Sequence, residues 1–416
     1  MPHSIAVWIL CGIAILGVLA RPRGTPEWVW AAGGAAALTV FGLVAWRDAA
    51  AAVAQGADVY LFLTGMMLLA ELARREGVFD WVAGHAATAA RGSRLRLFAL
   101  VYGAGVAVTI VLSNDATAVV LTPAVAAVVR RARVEARPYL FACAFVANAA
   151  SFVLPISNPA NLVVFGSAMP ALPRWLAAFA LPSFVSIVVT FVALALLSRR
   201  ALAGAFAEAG TAPALTTNGR IALGGIAVSA IALVAASAFA LPLGATTCVC
   251  GCAVVALATA RDRSIAGDVA RSVTWSVLVL VAGLFVLVRG LDTTGLLDAA
   301  RSGAAALASL PPPLAGLSAG AIAAAASNIA NNLPAGLVAG SSLGALRGHD
   351  ALRAAVAIGI DLGPNLSVTG SLATVLWLTA LRREGIAITS WSFLRAGAIV
   401  MPPALFLAIL ATSIAR

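Results

Sequence analysis

Long apolar segments recur along the whole chain and are separated by short polar loops. An apolar run of about 20 residues can cross a bilayer core of about 30 Å as a helix. The apolar segments are 4–20, 29–46, 57–73, 95–112, 117–130, 138–154, 157–169, 175–197, 220–240, 243–260, 272–289, 314–326, 333–346, 351–362, 367–381 and 393–414. The short segments form adjacent pairs with polar residues between them, which is typical of helices broken at mid-membrane. The pattern predicts an all-α polytopic membrane protein.

The two halves of the chain carry the same short motifs in the same order. Gly77-Val78-Phe79-Asp80 resembles Gly295-Leu296-Leu297-Asp298, and Ser113-Asn114 recurs as Ser327-Asn328. Pairing the short segments gives about ten transmembrane helices, two re-entrant helical hairpins and two broken helices. Each half then has an odd number of crossings, so the second copy is predicted to be inverted relative to the first.

These repeats define the predicted domain organisation. The first repeat is expected at 1–198, a cytoplasmic linker at 199–219 and the second repeat at 220–416. Each repeat has scaffold helices, a hairpin, a broken helix and a final helix, in that order. The predicted bounds are 4–73, 95–131, 138–169 and 175–197 in the first repeat, and 220–289, 314–346, 351–381 and 393–414 in the second.

Composition and charge exclude a soluble enzyme. The chain is 62% hydrophobic and 10% charged, and all 27 of its basic residues are arginine. With the N-terminus outside, 20 arginines fall on cytoplasmic loops and seven on the other side, as the positive-inside rule requires. We therefore expect a multi-pass protein in the lipid bilayer of the bacterial inner membrane. The net charge of +11 belongs to these loops, so no nucleic-acid partner is expected.

Polar residues concentrate at the four predicted breaks. Eight of the nine asparagines lie there, although a buried amide without partners is costly in hydrocarbon. Asp115 and Asp361 lie in the same segments, and an acid at membrane depth indicates function, so both are candidates for proton coupling. The proline candidates for helix breaking are Pro155, Pro159, Pro334 and Pro364. The candidate substrate-binding residues are Ser113, Asn114, Thr117, Asn158, Asn161, Ser327, Asn328, Asn331, Asn332, Thr369 and Ser371.

At these segments the chain resembles the bacterial arsenite/antimonite efflux permeases of the ion transporter superfamily. The matching motifs are Asn114-Asp115 with Leu121-Thr122-Pro123, Asn331-Asn332-Leu333-Pro334, Asp361-Leu362-Gly363-Pro364, Gly370-Ser371-Leu372-Ala373-Thr374, Leu376-Trp377-Leu378 and Gly77-Val78-Phe79-Asp80-Trp81. The resemblance implies export of trivalent arsenite and antimonite as neutral hydroxides, driven by proton influx through an elevator-like motion. Some family members carry an acid and a lysine where Asn148 and Asn365 stand here.

Other functions remain open on the sequence alone. The hairpin motifs also fit a sodium/proton antiporter or a carboxylate carrier of the same superfamily, although no arginine lies in the four segments. No phosphate-binding loop occurs, so the chain itself is not expected to hydrolyse ATP, and no cofactor or resident metal is expected. Some members of the family have a cytoplasmic arsenite-stimulated ATPase subunit as a partner.

Overall fold

The computed structural model describes residues 2–206, 213–343 and 349–414, apart from the side chains of Pro2 and Ser167. Helices dominate these ranges, and the all-α membrane fold expected from the hydropathy pattern is confirmed. Three parts of the sequence predictions lie outside the described residues. These are 207–212 of the linker, 344–346 of the second hairpin, and Arg347 and Arg416 of the arginine count.

Eleven helices form the first half of the chain. They are α1 (Pro2–Ala20), α2 (Glu27–Val40), α3 (Trp46–Gln55), α4 (Ala57–Arg75), α5 (Val78–Ala89), α6 (Arg94–Val111), α7 (Asn114–Ala116), α8 (Thr122–Arg131), α9 (Ala136–Ala149), α10 (Pro159–Phe165) and α11 (Leu172–Leu197). A π-helical turn over Thr117–Leu121 joins α7 to α8, and a 3₁₀ turn over Pro155–Ser157 precedes α10.

Ten helices form the described part of the second half. They are α12 (Thr217–Ala238), α13 (Leu243–Thr259), α14 (Ser264–Ser272), α15 (Ser276–Asp292), α16 (Leu296–Ala308), α17 (Pro312–Ala330), α18 (Asn332–Leu343), α19 (Asp350–Leu362), α20 (Leu372–Arg383) and α21 (Ser390–Thr412). Two 3₁₀ turns, Gly363–Asn365 and Val368–Gly370, lie between α19 and α20. Every apolar segment overlaps a helix, but 29–46 and 138–154 extend five or six residues beyond the ends of α2 and α9, and 117–130 begins in the π turn.

Besides the three-residue α7, four helices have no counterpart among the apolar segments. They are α3, α5, α14 and α16, which have nine to thirteen residues and carry charged side chains. A search for long apolar runs passes over them because they are short and polar on one face. Gly77 and Gly295 begin α5 and α16 with left-handed φ angles of 73° and 83°, so the two similar motifs adopt the same local conformation.

The number of membrane crossings is only partly determined by helix length. In the described ranges, six helices are long and apolar enough to span a bilayer, and they are α1, α6, α11, α12, α17 and α21. The pairs α3–α4 and α14–α15, bent by 48° and 41°, raise this number to eight if each is one span. Because α6 and α17 meet the length criterion as well, length does not separate a re-entrant limb from a crossing. The count of ten crossings with two hairpins stays a prediction.

Helix contacts occur in corresponding pairs across the two halves. In the scaffold, α2 packs on α15 while α13 packs on α4. In the remainder, α6 packs on α9 while α17 packs on α19, and α10 contacts α18 while α20 contacts α8. If each helix is exchanged for the helix at the equivalent place in the other half, the first contact of each pair becomes the second. The last of these pairs matters for function, because it places each broken helix against the hairpin of the other half.

Scaffold helices α4 and α13 cross at closely opposed glycines. A Cβ atom added to Gly251 would lie 2.6 Å from the carbonyl oxygen of Gly65 and 2.8 Å from its Cα atom. Both neighbours are backbone atoms, which cannot move aside without separating the helices. The crossing therefore depends on the absence of a side chain at Gly251.

We expect Gly251→Val to lower the free energy of unfolding by about 1–3 kcal/mol through overpacking of the α4–α13 crossing. The matched control is Gly224→Val on α12, where an added Cβ would meet nothing within 4 Å. Thermal unfolding of the two purified variants in detergent provides the measurement. Equal melting temperatures for both variants would contradict the close approach of α4 and α13.

Candidate functional site

The four polar segments converge through contacts between the two halves of the chain. Helix α20 contacts α7 and the π turn of the first hairpin, and α10 contacts α18 of the second hairpin. The turn Gly363–Asn365 of the second broken helix also packs against α9 of the first. The side chains that the sequence analysis selected from separate segments therefore lie in one polar cluster.

Two hydrogen bonds join the broken helices to each other in equivalent places. Asn158 caps the N-terminus of α10, and its Nδ2 atom donates to Oδ1 of Asp361, near the end of α19, at 2.8 Å. Ser371 caps the N-terminus of α20, and its hydroxyl donates to Oδ1 of Asn148, near the end of α9, at 3.4 Å. In each case, the capping side chain of a second half-helix holds a polar side chain on the other broken helix.

Asn148 and Asn365 extend the second of these contacts, although they were absent from the predicted binding set. Asn148 Nδ2 donates to Asn365 Oδ1 at 3.0 Å, and Asn365 Nδ2 donates to the carbonyl oxygen of Phe145 at 3.0 Å. Both amides are fully buried. Their sequence signal was their position among the break-region asparagines, but only the tertiary structure shows that they contact each other.

The Asn328 side chain makes three hydrogen bonds, one within α17 and two that join the second hairpin to the second broken helix. Its Nδ2 atom donates to the carbonyl oxygens of Ala324 at 2.8 Å and Gly363 at 2.9 Å, and its Oδ1 atom accepts from the Ser367 hydroxyl at 2.6 Å. Thr369 adds a bond from its hydroxyl to the Asn328 carbonyl oxygen at 3.4 Å. Ser367 was not selected from the sequence, because a lone serine in a polar turn carries no distinctive pattern.

The remaining predicted residues of the second hairpin are buried beside this contact. Ser327 donates to the Ala324 carbonyl oxygen at 2.9 Å and is fully buried. Asn332 is also buried, and its Oδ1 atom has no hydrogen-bond partner in the described residues. Pro334 lies in the first turn of α18, where its missing N–H leaves no carbonyl unpaired. The chain reverses before it, at Asn331.

Asn331 has a backbone conformation that residues other than glycine rarely adopt. Its φ and ψ angles are 75° and 153° at the end of α17. The side chain compensates by donating to the Thr369 carbonyl oxygen at 3.2 Å and accepting from the Leu333 amide at 3.4 Å. Strain held in place by surrounding contacts is typical of ligand-binding and switch regions.

We expect Asn331→Ala to be less stable than Asn331→Gly by about 1–2 kcal/mol. Both variants lose the side-chain hydrogen bonds. Only alanine keeps the backbone strain, which costs about 1–3 kcal/mol. Glycine lowers the stability by ~0.4–1 kcal/mol, because it increases the conformational entropy of the unfolded chain, so the strain is the larger effect. Thermal unfolding in detergent measures the difference. Alanine matching or exceeding glycine would show that position 331 is unstrained.

The tip of the first hairpin is buried apart from the half-buried Asp115, whereas Ile329 at the tip of the second is 72% exposed. Ser113 caps α7 by accepting from the Ala116 amide at 3.2 Å, and Asn114 Oδ1 accepts from the Asp115 amide at 2.9 Å. Thr117 is fully buried, and its hydroxyl lies 2.8 Å from that of Thr109 on α6. The half-buried Asp115 has no side-chain hydrogen bond to the described residues, so its carboxylate is open to a ligand or water.

The cluster is polar but nearly free of charge. The ion pairs of the described residues lie at helix ends, as between Arg75 and Asp268 at 2.6 Å and between Arg130 and Glu384, which both join the two halves. The part of the chain that the structure describes contains no group of three histidine, cysteine or acidic side chains that could hold a metal. What the site offers is therefore an array of amide and hydroxyl groups with two carboxyls.

Comparison with known proteins identifies related transporters. Residues 7–360 match the sequence profile of a family described as Citrate transporter, CitMHS. An arsenical pump membrane protein of Escherichia coli is 25% identical over 364 residues, and that of strain K12 is 28% identical over 369 residues. An uncharacterized transporter of Mycobacterium tuberculosis strain H37Rv is 29% identical over 373 residues. Each match covers 84% of both chains. The predicted resemblance is confirmed.

A solved structure has the same fold. The YdaH transporter of Alcanivorax borkumensis, described as having an unusual topology, aligns with a TM-score of 0.55 and 17% sequence identity. The alignment covers 88% of this chain and 86% of the YdaH chain. At this identity the likeness concerns the arrangement of helices alone.

Proposed function

Because the chain belongs to the citrate transporter family CitMHS and is a multi-pass secondary transporter rather than an enzyme, we propose that it exports arsenite and antimonite across the bacterial inner membrane. Proton influx drives the export, and the transported species are the neutral trivalent hydroxides. The relatives named as arsenical pumps support this substrate over the wider range of the family.

The observation that carries the proposal is the uncharged chemistry of the site. Arsenous acid is neutral near pH 7 and presents three hydroxyl groups, each of which donates and accepts hydrogen bonds. Asparagine amides and serine or threonine hydroxyls do the same, so such a cluster binds the molecule without a charged partner. The half-buried Asp115, at the tip of the first hairpin, is the natural point of contact.

A citrate carrier is the less favoured alternative because citrate is a polyanion. Carboxylate ligands are usually held by arginine or lysine, whose charges offset the cost of desolvation. The chain has no lysine, and none of its arginines falls in the four polar segments. A positive half-helix end offers only a partial charge, too little to balance several carboxylates.

Proton coupling is assigned to Asp361 and Asp115. Asp361 is buried between the two broken helices, where a change in its charge alters the contact between the halves of the chain. Asp115 is half-buried at the tip of the first hairpin, where the accessible part of its side chain can exchange protons with water. An ionisable group in such a position is a functional candidate by default, because its burial is otherwise unfavourable.

Alternating access follows from two inverted repeats, 1–198 and 220–416, that surround one site. The corresponding pairs of helix contacts support this organisation. The helices of 4–73 and 220–289 form a scaffold, while the hairpins and broken helices form the unit that moves past it as an elevator. A cytoplasmic ATPase subunit, as some relatives of this type have, is an additional partner that the transport step itself does not need.

The test is arsenite uptake into everted vesicles, or into liposomes containing the chain alone, under an imposed pH gradient and without sodium. We expect uptake that collapses when a protonophore removes the gradient. Uptake by the chain alone would show that no ATPase is required. Citrate uptake in the same vesicles would favour the citrate carrier. A pH gradient that sodium dissipates, without arsenite uptake, would favour the sodium/proton antiporter.

A further inference from the structure

Two buried oxygen atoms in the broken helices have no hydrogen-bond donor among the described residues. They are Oδ2 of Asp361 and Oδ1 of Asn161, on side chains that are 1% and 0% exposed. A buried acceptor without a donor costs about 1–3 kcal/mol, and more when it is charged. Two such atoms on elements that pack together, α10 and α19, call for a common physical explanation.

Existing hydrogen bonds fix the orientation of both side chains. Asn161 Nδ2 donates to the carbonyl oxygen of Ser151 at 2.9 Å. Because a carbonyl oxygen only accepts, the amino group must face Ser151 and the amide oxygen must be the free atom. On Asp361, Oδ1 accepts from Asn158 Nδ2, while Oδ2 has no donor in the described residues, because the neighbouring Ser151 hydroxyl donates to the Asn148 carbonyl oxygen at 2.8 Å.

Both free oxygens lie where the start of α10 meets α19. Asn158 is the N-cap of α10, and Asn161 lies in the turn that it begins, with its backbone amide donating to the Asn158 carbonyl oxygen at 3.0 Å. The Asn158 side chain bonds to Asp361, so this first turn, which includes Asn161, packs against the end of α19. A proton on Oδ2 would make this atom a hydrogen-bond donor, and the Oδ2–H group could then donate to Asn161 Oδ1.

We propose that Asp361 carries its proton on Oδ2 in this conformation and that Asn161 is the positioning residue whose amide oxygen accepts it. The inference rests on the proposed proton coupling and specifies how the carboxyl holds the proton. Release breaks the Oδ2–H bond, passes H⁺ to water and leaves a carboxylate that again lacks one donor. The ionised form therefore favours a conformation in which water or a substrate hydroxyl reaches Oδ2.

No cation in the surroundings replaces the proton. Helices α10, α17 and α18 and the turn Gly363–Asn365 carry no charged side chain. On α9, α11, α19 and α21, none of the charged or titratable groups hydrogen-bonds to Asp361 in the described structure, and these groups are Arg137, Tyr139, Cys143, Arg174, His349, Asp350, Arg353 and Arg395. A buried carboxylate without a paired cation is unfavourable, which supports the neutral acid here.

Infrared difference spectroscopy of the purified full chain near pH 7 tests the inference directly. We expect the carbonyl stretching band of a protonated carboxylic acid, and we expect Asp361→Asn to remove it. In Asn161→Leu, which keeps the volume of the side chain but not its acceptor, the band should remain and shift to higher frequency. In Asn161→Ser, which retains an oxygen acceptor, the band should lie closer to that of the wild type.

The control is Asp298→Asn, because the Asp298 side chain is 77% exposed and pairs with Arg301. This variant should keep the band unchanged. A wild type without the band, or a band that survives Asp361→Asn, would overturn the protonation. An identical band in Asn161→Leu would overturn the role of Asn161. So would a result in which Asn161→Ser, which retains the oxygen acceptor, fails to fold while Asn161→Leu folds. The measurement needs no arsenite, so absence of arsenite transport beside the expected spectra would refute the proposed function alone.

Discussion

Asp361→Asn should fold normally and lose all accumulation of arsenite that depends on a pH gradient. The new amide keeps the oxygen that accepts from Asn158, and its NH₂ group can donate to Asn161 as a protonated carboxyl would. The variant therefore mimics the proton-loaded form permanently. A gradient of two pH units, worth about 1.36 kcal/mol per unit, can drive roughly hundredfold accumulation per proton, and we expect this to fall to about onefold.

Uptake into everted vesicles, together with the melting temperature in detergent, separates lost coupling from lost folding. Asp298→Asn, an exposed acid on α16, should accumulate arsenite as the wild type does. Asp115→Asn tests the second candidate in the same assay. Gradient-driven accumulation that survives in Asp361→Asn but not in Asp115→Asn would move the coupling role to the tip of the first hairpin.

Asn328→Asp should be the most damaging substitution at the second hairpin. Two carbonyl oxygens, of Ala324 and Gly363, accept from the Asn328 amino group, and the substitution places a carboxylate oxygen against both. Two lost hydrogen bonds of about 0.5–1.5 kcal/mol each, with an added charge beside two acceptors, give a loss of about 2–4 kcal/mol in stability. Because the bond to Gly363 joins the hairpin to the broken helix, transport should be abolished as well.

Asn114→Asp is the matched control, since Asn114 and Asn328 occupy the same place in the two similar motifs. The Asn114 side chain uses its oxygen to accept from the Asp115 amide, and a carboxylate accepts equally well. We expect a much smaller change in melting temperature for this variant than for Asn328→Asp. Equal losses at both positions would mean that the amino group of Asn328 does not hold the second hairpin.

The sequence determined the class of the protein and the position of most helices. Apolar runs have one stable solution in a bilayer, because backbone N–H and C=O groups must be paired inside the segment. The polar positions inside those runs were equally informative. Burial of amides and acids is unfavourable unless they have partners, so their clustering at four breaks predicted where polar contacts form. The family resemblance depended on the same residues.

Several features could not be derived from the sequence. The amphipathic helices α3, α5, α14 and α16 escaped detection because their polar faces interrupt the apolar pattern. Ser367 was missed because a single hydroxyl in a turn becomes informative only when its partner, Asn328, is known. Asn148 and Asn365 stood out as break-region amides, but their mutual hydrogen bond joins residues 217 positions apart in the sequence.

Tertiary structure alone decided which polar groups are satisfied. Asn158 and Asp361 were both selected from the sequence, yet nothing in their spacing indicated that one donates to the other across the two halves. The free oxygens of Asp361 and Asn161 likewise become visible only after every neighbouring donor has been placed. Hydropathy fixes which segments enter the membrane because it is a property of each segment alone. Hydrogen-bond pairing belongs to two segments at once, so it requires their packing.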